Sequence, residues 1–192
     1  MGARDFDAVT LGNAECDGWA ADYRHEWRTF LRAALAMVRI GFGLSWPKTV
    51  RGAWYVLRAN QMWAPYPDND PQRAREYMRR FYELVARDGA LRIDPLEAAK
   101  REVEWWRIHR IHQREDDLSE DDLAAALVSL YSYVYNVAPD SVHDAARHRV
   151  VAMRHSDVWV EAGCEPDDPL LAAERAELIA SYTALLVAVG RS

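Results

Sequence analysis

Histidine and carboxylate side chains are concentrated on two predicted helices and form the first candidate site. Five of the six histidines lie between residues 109 and 155. At 100° per residue, one face of the earlier helix carries carboxylates and imidazoles together, and the later helix adds two histidines. Side chains of these types on facing helices bind iron or manganese in helical bundles. The predicted metal ligands are Glu102, His109, His112, Asp116, His148 and His155.

The same histidines offer acid–base chemistry without a metal, because imidazole titrates near neutral pH. His109, His148 and His155 are the catalytic candidates in that version. The chain lacks the two Glu-x-x-His pairs that di-metal carboxylate proteins use. A solvated polar face is therefore the favoured interpretation, and a non-haem iron or manganese oxidoreductase is the alternative.

Two arginines fall within the apolar stripes of the same two helices and form the second candidate site. A guanidinium at Arg110 or Arg149 would be costly to bury unless it is paired and hydrogen-bonded. Glu26 is the candidate protein partner, and a structural ion pair is the favoured interpretation. The alternative partner is the carboxylate or phosphate of a ligand. Its pocket would be lined by the aromatic residues Trp106 and Trp159.

These two sites together lead to the main functional hypothesis. It is an internal pocket, lined by aromatic, arginine and histidine side chains, for a small anionic or partly apolar molecule. Eight tryptophans in 192 residues support aromatic-lined crevices, because each buries a large area but needs a partner for its N–H. The hypothesis leaves open whether the protein is an enzyme.

The alternative hypothesis is a non-catalytic interaction or regulatory module. Residues 19–40 carry arginines on one side of a predicted helix, and the next helix alternates aromatic residues with Lys48, Arg51 and Arg58. Aromatic and basic amphipathic segments bind acidic protein partners or anionic membrane surfaces. A solvated basic face is the favoured interpretation of this pattern, so peripheral membrane contact is not the favoured prediction.

Charge and composition restrict the classes of function. The net charge is -6, with +3 in residues 1–93 and -9 in residues 94–192. An acidic chain is a poor candidate for nucleic-acid binding. The two cysteines form no CxxC pair, and the first residues lack the apolar core of a secretory leader. These features predict a cytoplasmic protein with free thiols.

The hydrophobic pattern predicts one all-α domain over residues 1–192, a bundle of about seven helices. Residues 1–14 are expected to form an irregular N-terminal arm. The predicted helices lie near residues 19–40, 46–60, from 71 onward, 95–114, 119–136, 140–162 and 169–189.

Local signals define several of these helices. Asp–Pro pairs at 70–71, 94–95 and 168–169 predict helix starts, as does Ser119 with Asp122. The fifth helix, 119–136, contains most of a long uncharged run at residues 123–139 and is expected to be central and buried. The last helix ends in an apolar run at 185–189, for which homodimerisation is the predicted cover if that end is exposed.

Overall fold

The computed structural model describes residues 2–87, 91–114 and 118–190. In these ranges the chain is a single all-α domain without strands, and a 3-10 turn (Pro139–Val142) precedes α7. The eight helices are α1 (Ala8–Tyr23), α2 (Trp27–Phe42), α3 (Trp46–Trp63), α4 (Pro71–Arg87), α5 (Pro95–Arg114), α6 (Glu120–Tyr135), α7 (His143–Glu161) and α8 (Pro169–Gly190).

Capping residues start the helices where the sequence predicts. The carboxylates of Asp70, Asp94 and Asp168 accept backbone N–H groups of the first turn at 2.8–2.9 Å. Proline follows each of them, because the first helical position needs no N–H donor. Ser119 and Asp122 form a reciprocal capping box at the start of α6. The predicted starts of α4, α5, α6 and α8 are therefore confirmed.

The N-terminal region differs from the prediction in two ways. The single helix expected over residues 19–40 is broken between α1 and α2, where His25 has a left-handed backbone with φ of 59°. Histidine adopts this conformation more readily than most residues, so no glycine or proline marks the break. The predicted irregular arm is also wrong, because Asp7 caps α1 by accepting the Thr10 N–H at 2.9 Å. Helical structure therefore begins at Ala8.

The eight helices form a closed ring. Each helix packs mainly on its neighbours in sequence, and α8 packs on α1 to close the circle. Gly12 makes this closure possible, since a Cβ atom there would lie 2.7 Å from the backbone nitrogen of Ile179. Side chains that point inward from several helices therefore meet at the centre of the ring.

The apolar helix α6 is a member of this ring. Leu123, Leu127 and Leu130 are buried in the main core, as expected for an apolar helix. Ala125 and Ser129 are exposed, because α6 packs on α5, on α7 and on the 3-10 turn but has no helix on its outer side. The prediction of a buried helix therefore holds for one face, and the prediction of a central position does not.

The apolar end of α8 is largely covered within the chain. Leu185 and Val189 are buried, whereas Val187 is 46% exposed. The predicted homodimer is therefore not needed to cover most of this run, and it stays a prediction. Neither α8 nor any other helix in the described ranges combines the length and apolar character needed to cross a bilayer.

Candidate functional site

Arg149 lies in the interior of the ring and pairs with a carboxylate of α1. Its Nη1 donates to Oε2 of Glu15 at 2.7 Å, and its Nη2 contacts the other carboxylate oxygen. The side chains of Glu15 and Arg149 are 2% and 13% exposed. Glu26, the partner suggested by the sequence, instead pairs with Arg24 at the surface. The term buried ion-pair cluster denotes Glu15, Arg149, Glu174 and Tyr182.

The two α8 members of this cluster, Tyr182 and Glu174, differ in their hydrogen bonding. Tyr182 donates its hydroxyl to Oε2 of Glu15 at 2.6 Å. Glu174 is 2% exposed, and its Oε2 has no hydrogen-bond partner among the described residues. Burial first, and then the Glu15 charge, raise the pKa of Glu174 to about 8. Glu174 is therefore mainly protonated at neutral pH.

Charge pairing outweighs burial at Arg149. Burial alone lowers the pKa of this guanidinium, but Glu15 raises it well above its usual range. Arg149 therefore stays charged, and Glu15 already neutralises it. The two residues have the composition of a structural ion pair. Removal of only one of them leaves the other charge buried without a partner, which strongly destabilises the fold.

Glu102, a predicted metal ligand, is held by protein donors on the other side of the ring. Its two carboxylate oxygens accept the Tyr82 hydroxyl at 2.7 Å and the Trp105 indole N–H at 3.0 Å. Burial raises the pKa of Glu102, and these hydrogen bonds act in the opposite direction. The Arg149 guanidinium lies 6.0 Å from the Trp105 ring centre. Polar groups thus extend across the interior from α8 to α4.

Arg110 caps the C-terminal end of α3. Its Nη1 donates to the carbonyl oxygens of Trp63 at 3.0 Å and Ala64 at 3.4 Å. The guanidinium also lies 4.9 Å from the centre of the Trp63 ring. Burial lowers the pKa of Arg110, and carbonyls at a helix C-terminus favour a cation. Arg110 is half-buried and is satisfied by backbone oxygens of α3.

The histidines of α5 have separate partners. The Nε2 atom of His109 lies 3.1 Å from Oδ2 of Asp157, whose other oxygen accepts the Gln113 amide at 2.6 Å. This contact joins α5 to α7, so the two histidine-bearing helices touch. His112 faces another direction, with Nδ1 2.9 Å from the Leu118 carbonyl oxygen.

The histidines of α7 do not complete a metal centre with those of α5. His148 lies 2.6 Å from a carboxylate oxygen of Glu177 on α8, with its own side chain 43% exposed. His155 is half-buried two turns further along α7. Asp116 lies outside the described residues. Within those residues, no group of three or more His, Cys, Asp or Glu side chains is arranged to hold a metal ion.

The two tryptophans predicted to line a pocket are packed in separate places. Trp106 is buried against the rings of Trp63 and Trp105, with centroid distances of 6.0 and 6.2 Å. Trp159 is fully buried and donates its indole N–H to a loop carbonyl at 2.8 Å. Both rings therefore support the packing of the fold around them.

A line of exposed apolar side chains runs along the outer face of α3. Trp46, Val50 and Trp54 follow one another at one-turn spacing and are 57%, 56% and 55% exposed. The Arg39 guanidinium lies 4.3 Å above the Trp46 ring. Arg58 lies 5.8 Å from the Trp54 ring centre. Cations therefore flank the two exposed indoles.

Large apolar side chains are also exposed at the beginning of α2. Trp27 and Leu31, also one turn apart, are each more than half exposed. Trp19 and Tyr23 at the end of α1 are exposed as well. Trp19, Tyr23 and Trp27 have the four-residue spacing of one helix face, but the chain turns at His25 and all three side chains are exposed.

The charge of this region is opposite to that of the rest of the protein. Residues 27–63 contain five arginines and one lysine but no Asp or Glu. Because the whole chain has a net charge of -6 and this segment contributes +6, the remainder carries -12. The term aromatic–basic surface denotes its exposed residues Trp27, Arg28, Leu31, Arg32, Trp46, Val50, Arg51 and Trp54.

Sequence reasoning missed Glu15, although a signal for it was present. Asp7 and Thr10 have the spacing of a helix N-cap, which predicts a helix through residue 15. On such a helix, Leu11 and Gly18 share a face with Glu15, and both are buried. A carboxylate on a face of this kind requires a buried cation, and Arg149 supplies it.

Comparisons with known proteins do not indicate a function for the chain. No protein-family model, no curated protein and no solved structure matches the chain. The function must therefore be inferred from the geometry and charge of its own residues.

Proposed function

We propose that the protein binds anionic membrane surfaces peripherally, through the aromatic–basic surface of α2 and α3. The observation that carries this proposal is the exposed line of Trp46, Val50 and Trp54 on a segment without any carboxylate. Indole side chains are favoured at the boundary between headgroups and acyl chains. Arginines beside them attract anionic lipid.

The chemistry of the exposed side chains favours a membrane over an acidic protein. Between residues 27 and 63, every exposed side chain is apolar or cationic except those of Ser45 and Gln61. Protein–protein interfaces typically contain about ten direct hydrogen bonds, which need more varied polar groups. A cytoplasmic location is part of this proposal, because the cytoplasmic leaflet carries the anionic lipids.

The internal small-molecule pocket has weaker support. Glu15 already neutralises Arg149, and the carbonyl oxygens at the end of α3 occupy Arg110. Neither guanidinium therefore needs a ligand to compensate its burial. The aromatic–basic surface, in contrast, has apolar area and positive charge that the described residues do not cover.

Vesicle co-sedimentation of the full chain tests the proposal. We expect binding to vesicles of phosphatidylcholine mixed with phosphatidylserine, and little binding to phosphatidylcholine alone. Binding should weaken at high ionic strength, because salt screens the attraction. Brominated lipid should quench part of the tryptophan fluorescence when the exposed indoles insert. Absence of binding to the mixed vesicles at low ionic strength would refute the proposal and leave an acidic protein as the partner.

Charge substitutions identify the surface that binds. The triple variant Arg28→Gln/Arg32→Gln/Arg51→Gln should reduce partitioning by roughly two orders of magnitude, at about 1 kcal/mol per cation. The matched control removes the same charge from exposed arginines of α4 and α7. It is Arg73→Gln/Arg147→Gln/Arg154→Gln. Equal loss in both triple variants would show that net charge, rather than this surface, controls binding.

Apolar substitutions test insertion separately from charge. Leu31→Ser/Val50→Ser removes two exposed apolar side chains from the surface, and Leu96→Ser/Val158→Ser removes the same residue types elsewhere. We expect weaker vesicle binding and less quenching only in the first variant. Unchanged quenching in that variant would contradict insertion of this face.

A further inference from the structure

Two surface grooves meet at the turn between α6 and the 3-10 helix. The first, of about 340 Å³, lies between the start of α5 and the end of α6. The second, of about 580 Å³, lies between that turn and the C-terminal part of α8. Asn136 and Val137 line both grooves, so the two lie next to each other at this turn. Both grooves are shallow and largely open to solvent.

Most residues that line the first groove bear hydrogen-bond donors and none is a carboxylate, although Glu97 pairs with Arg101 from outside the lining. This composition is unusual for the second half of a chain whose acidic residues are concentrated there. Five donor-bearing side chains are more than the two oxygens of a carboxylate need, and they suit the three terminal oxygens of a phosphate monoester. The donors are Arg92, Arg101, Ser129, Ser132 and Asn136.

Contacts within the protein hold part of this donor set in place. The Arg101 guanidinium lies 4.3 Å from the centre of the Tyr133 ring and 3.1 Å from a Glu97 carboxylate oxygen. The Tyr133 hydroxyl accepts the backbone N–H of Asp94 at 3.0 Å. Arg92 is exposed and forms no ion pair with the residues that the structure describes. Its positive charge is therefore not compensated within that part of the chain.

The second groove has the opposite character. Val137, Ala138, Ala184, Val187 and Ala188 supply most of its lining. Asn136, Ser141 and Asp144 are the polar exceptions. A molecule whose head lies in the first groove would therefore place an attached apolar chain against alanine and valine side chains.

The geometry points to a binding site for a single-chain amphiphile with a phosphate monoester head. The head occupies the donor groove between α5 and α6, and the alkyl chain occupies the apolar groove beside α8. This site is formed by residues outside the aromatic–basic surface, so it is a second function and does not depend on membrane docking.

Calorimetric titration of the full chain with monomeric decyl phosphate tests this assignment. Inorganic phosphate, decanol and decanoate serve as the reference probes. We expect decyl phosphate to bind at least about tenfold more tightly than each reference, because only it fills both grooves with a matching head. Equal binding of decanol would overturn the role of the arginines, and tighter binding of decanoate would overturn the phosphate head.

Variants locate the binding in these grooves. Arg92→Gln/Arg101→Gln should weaken decyl phosphate binding by about ten- to hundredfold and leave decanol unchanged, since charge-assisted hydrogen bonds are lost. Val187→Asp should weaken both decyl phosphate and decanol. Arg147→Gln, an exposed arginine of α7, is the control, and circular dichroism verifies folding.

A final variant separates this site from the proposed membrane surface. Leu31→Ser/Val50→Ser should bind decyl phosphate as the wild type does, even if it no longer sediments with vesicles. Loss of decyl phosphate binding in that variant, or retention of it in the two groove variants, would overturn the site.

Discussion

The buried ion-pair cluster and the aromatic–basic surface both place an arginine guanidinium near an aromatic ring. The cluster does so in the protein interior, and the surface does so next to solvent. In the cluster, Arg149 lies 6.0 Å from the ring centres of Trp105 and Tyr182. On the surface, Arg39 lies 4.3 Å from the Trp46 ring centre. The difference is the carboxylate, because Glu15 neutralises Arg149 whereas residues 27–63 contain no acidic side chain.

This difference separates a structural site from a binding surface. A guanidinium that is buried against a carboxylate of the same protein contributes to the fold. Because the carboxylate neutralises it, this guanidinium attracts an anionic ligand only weakly. Guanidinium groups on a segment without carboxylates keep their charge for an external anion. The number of counter-charges near an arginine is therefore more informative about its role than the presence of aromatic neighbours.

We expect the largest loss of stability when the buried cation, Arg149, is removed. Arg149→Leu leaves Glu15 buried without its partner, so we expect the free energy of unfolding to fall by about 3–5 kcal/mol. Urea denaturation measures the change. Arg147→Leu, two residues earlier on the same helix and 59% exposed, should change it by less than about 1 kcal/mol.

A double variant tests whether the effect comes from the unpaired charge. Glu15→Leu/Arg149→Leu removes both charges, and replacement of a whole buried pair by apolar residues is often close to neutral. We therefore expect the double variant to recover much of the stability that Arg149→Leu loses. A double variant that is no more stable than the single one would show that packing, rather than pairing, is responsible.

The second effect concerns Glu174, the member of the cluster that has no counter-charge of its own. Its pKa is about 8 in the folded protein and near 4.5 in the unfolded chain, so the folded state binds its proton more tightly. The resulting stability is fully present below about pH 4.5 and is lost as the pH rises toward 8. Between these limits, the free energy of unfolding should fall by up to about 1.4 kcal/mol per pH unit.

Substitution of Glu174 isolates this pH dependence. In Glu174→Gln the titration is absent, so its stability relative to wild type should increase from pH 5 to pH 8 by an amount on the order of a few kcal/mol. The exposed Glu161→Gln is the control. Parallel pH profiles for wild type and Glu174→Gln would contradict the protonated state of this carboxyl.

Local sequence signals were sufficient for most of the fold. Helix starts at Asp–Pro pairs depend on hydrogen bonds within one turn, and the same is true of the Ser119–Asp122 capping box. The break at His25 was missed, because a left-handed histidine in a corner has no local sequence signature. Continuous helical periodicity across residues 19–40 therefore predicted one helix where two exist.

The candidate sites were less predictable because they depend on distant partners. An interior position for Arg149 follows from helical spacing, but its pairing with Glu15 spans 134 residues. Closure of the ring by α8 against α1 creates that pair, and nothing in either helix alone predicts the closure. The cationic segment was visible as a pattern, whereas its exposure depends on which faces of α2 and α3 the ring leaves uncovered.

We expect the smallest loss of stability from substitution of the exposed indoles, and a large loss there would contradict the comparison. Trp54→Ala and Trp46→Ala remove exposed rings, so each should lower the free energy of unfolding by less than about 1 kcal/mol. Trp46→Ala should cost a few tenths more, because Arg39 lies 4.3 Å from its ring whereas Arg58 lies 5.8 Å from Trp54. Trp159→Ala, at a fully buried ring, should cost about 3–5 kcal/mol in the same urea titrations. A loss of that size at Trp54 would mean that the outer face of α3 stabilises the fold, and its exposed indoles would then no longer support a role in binding.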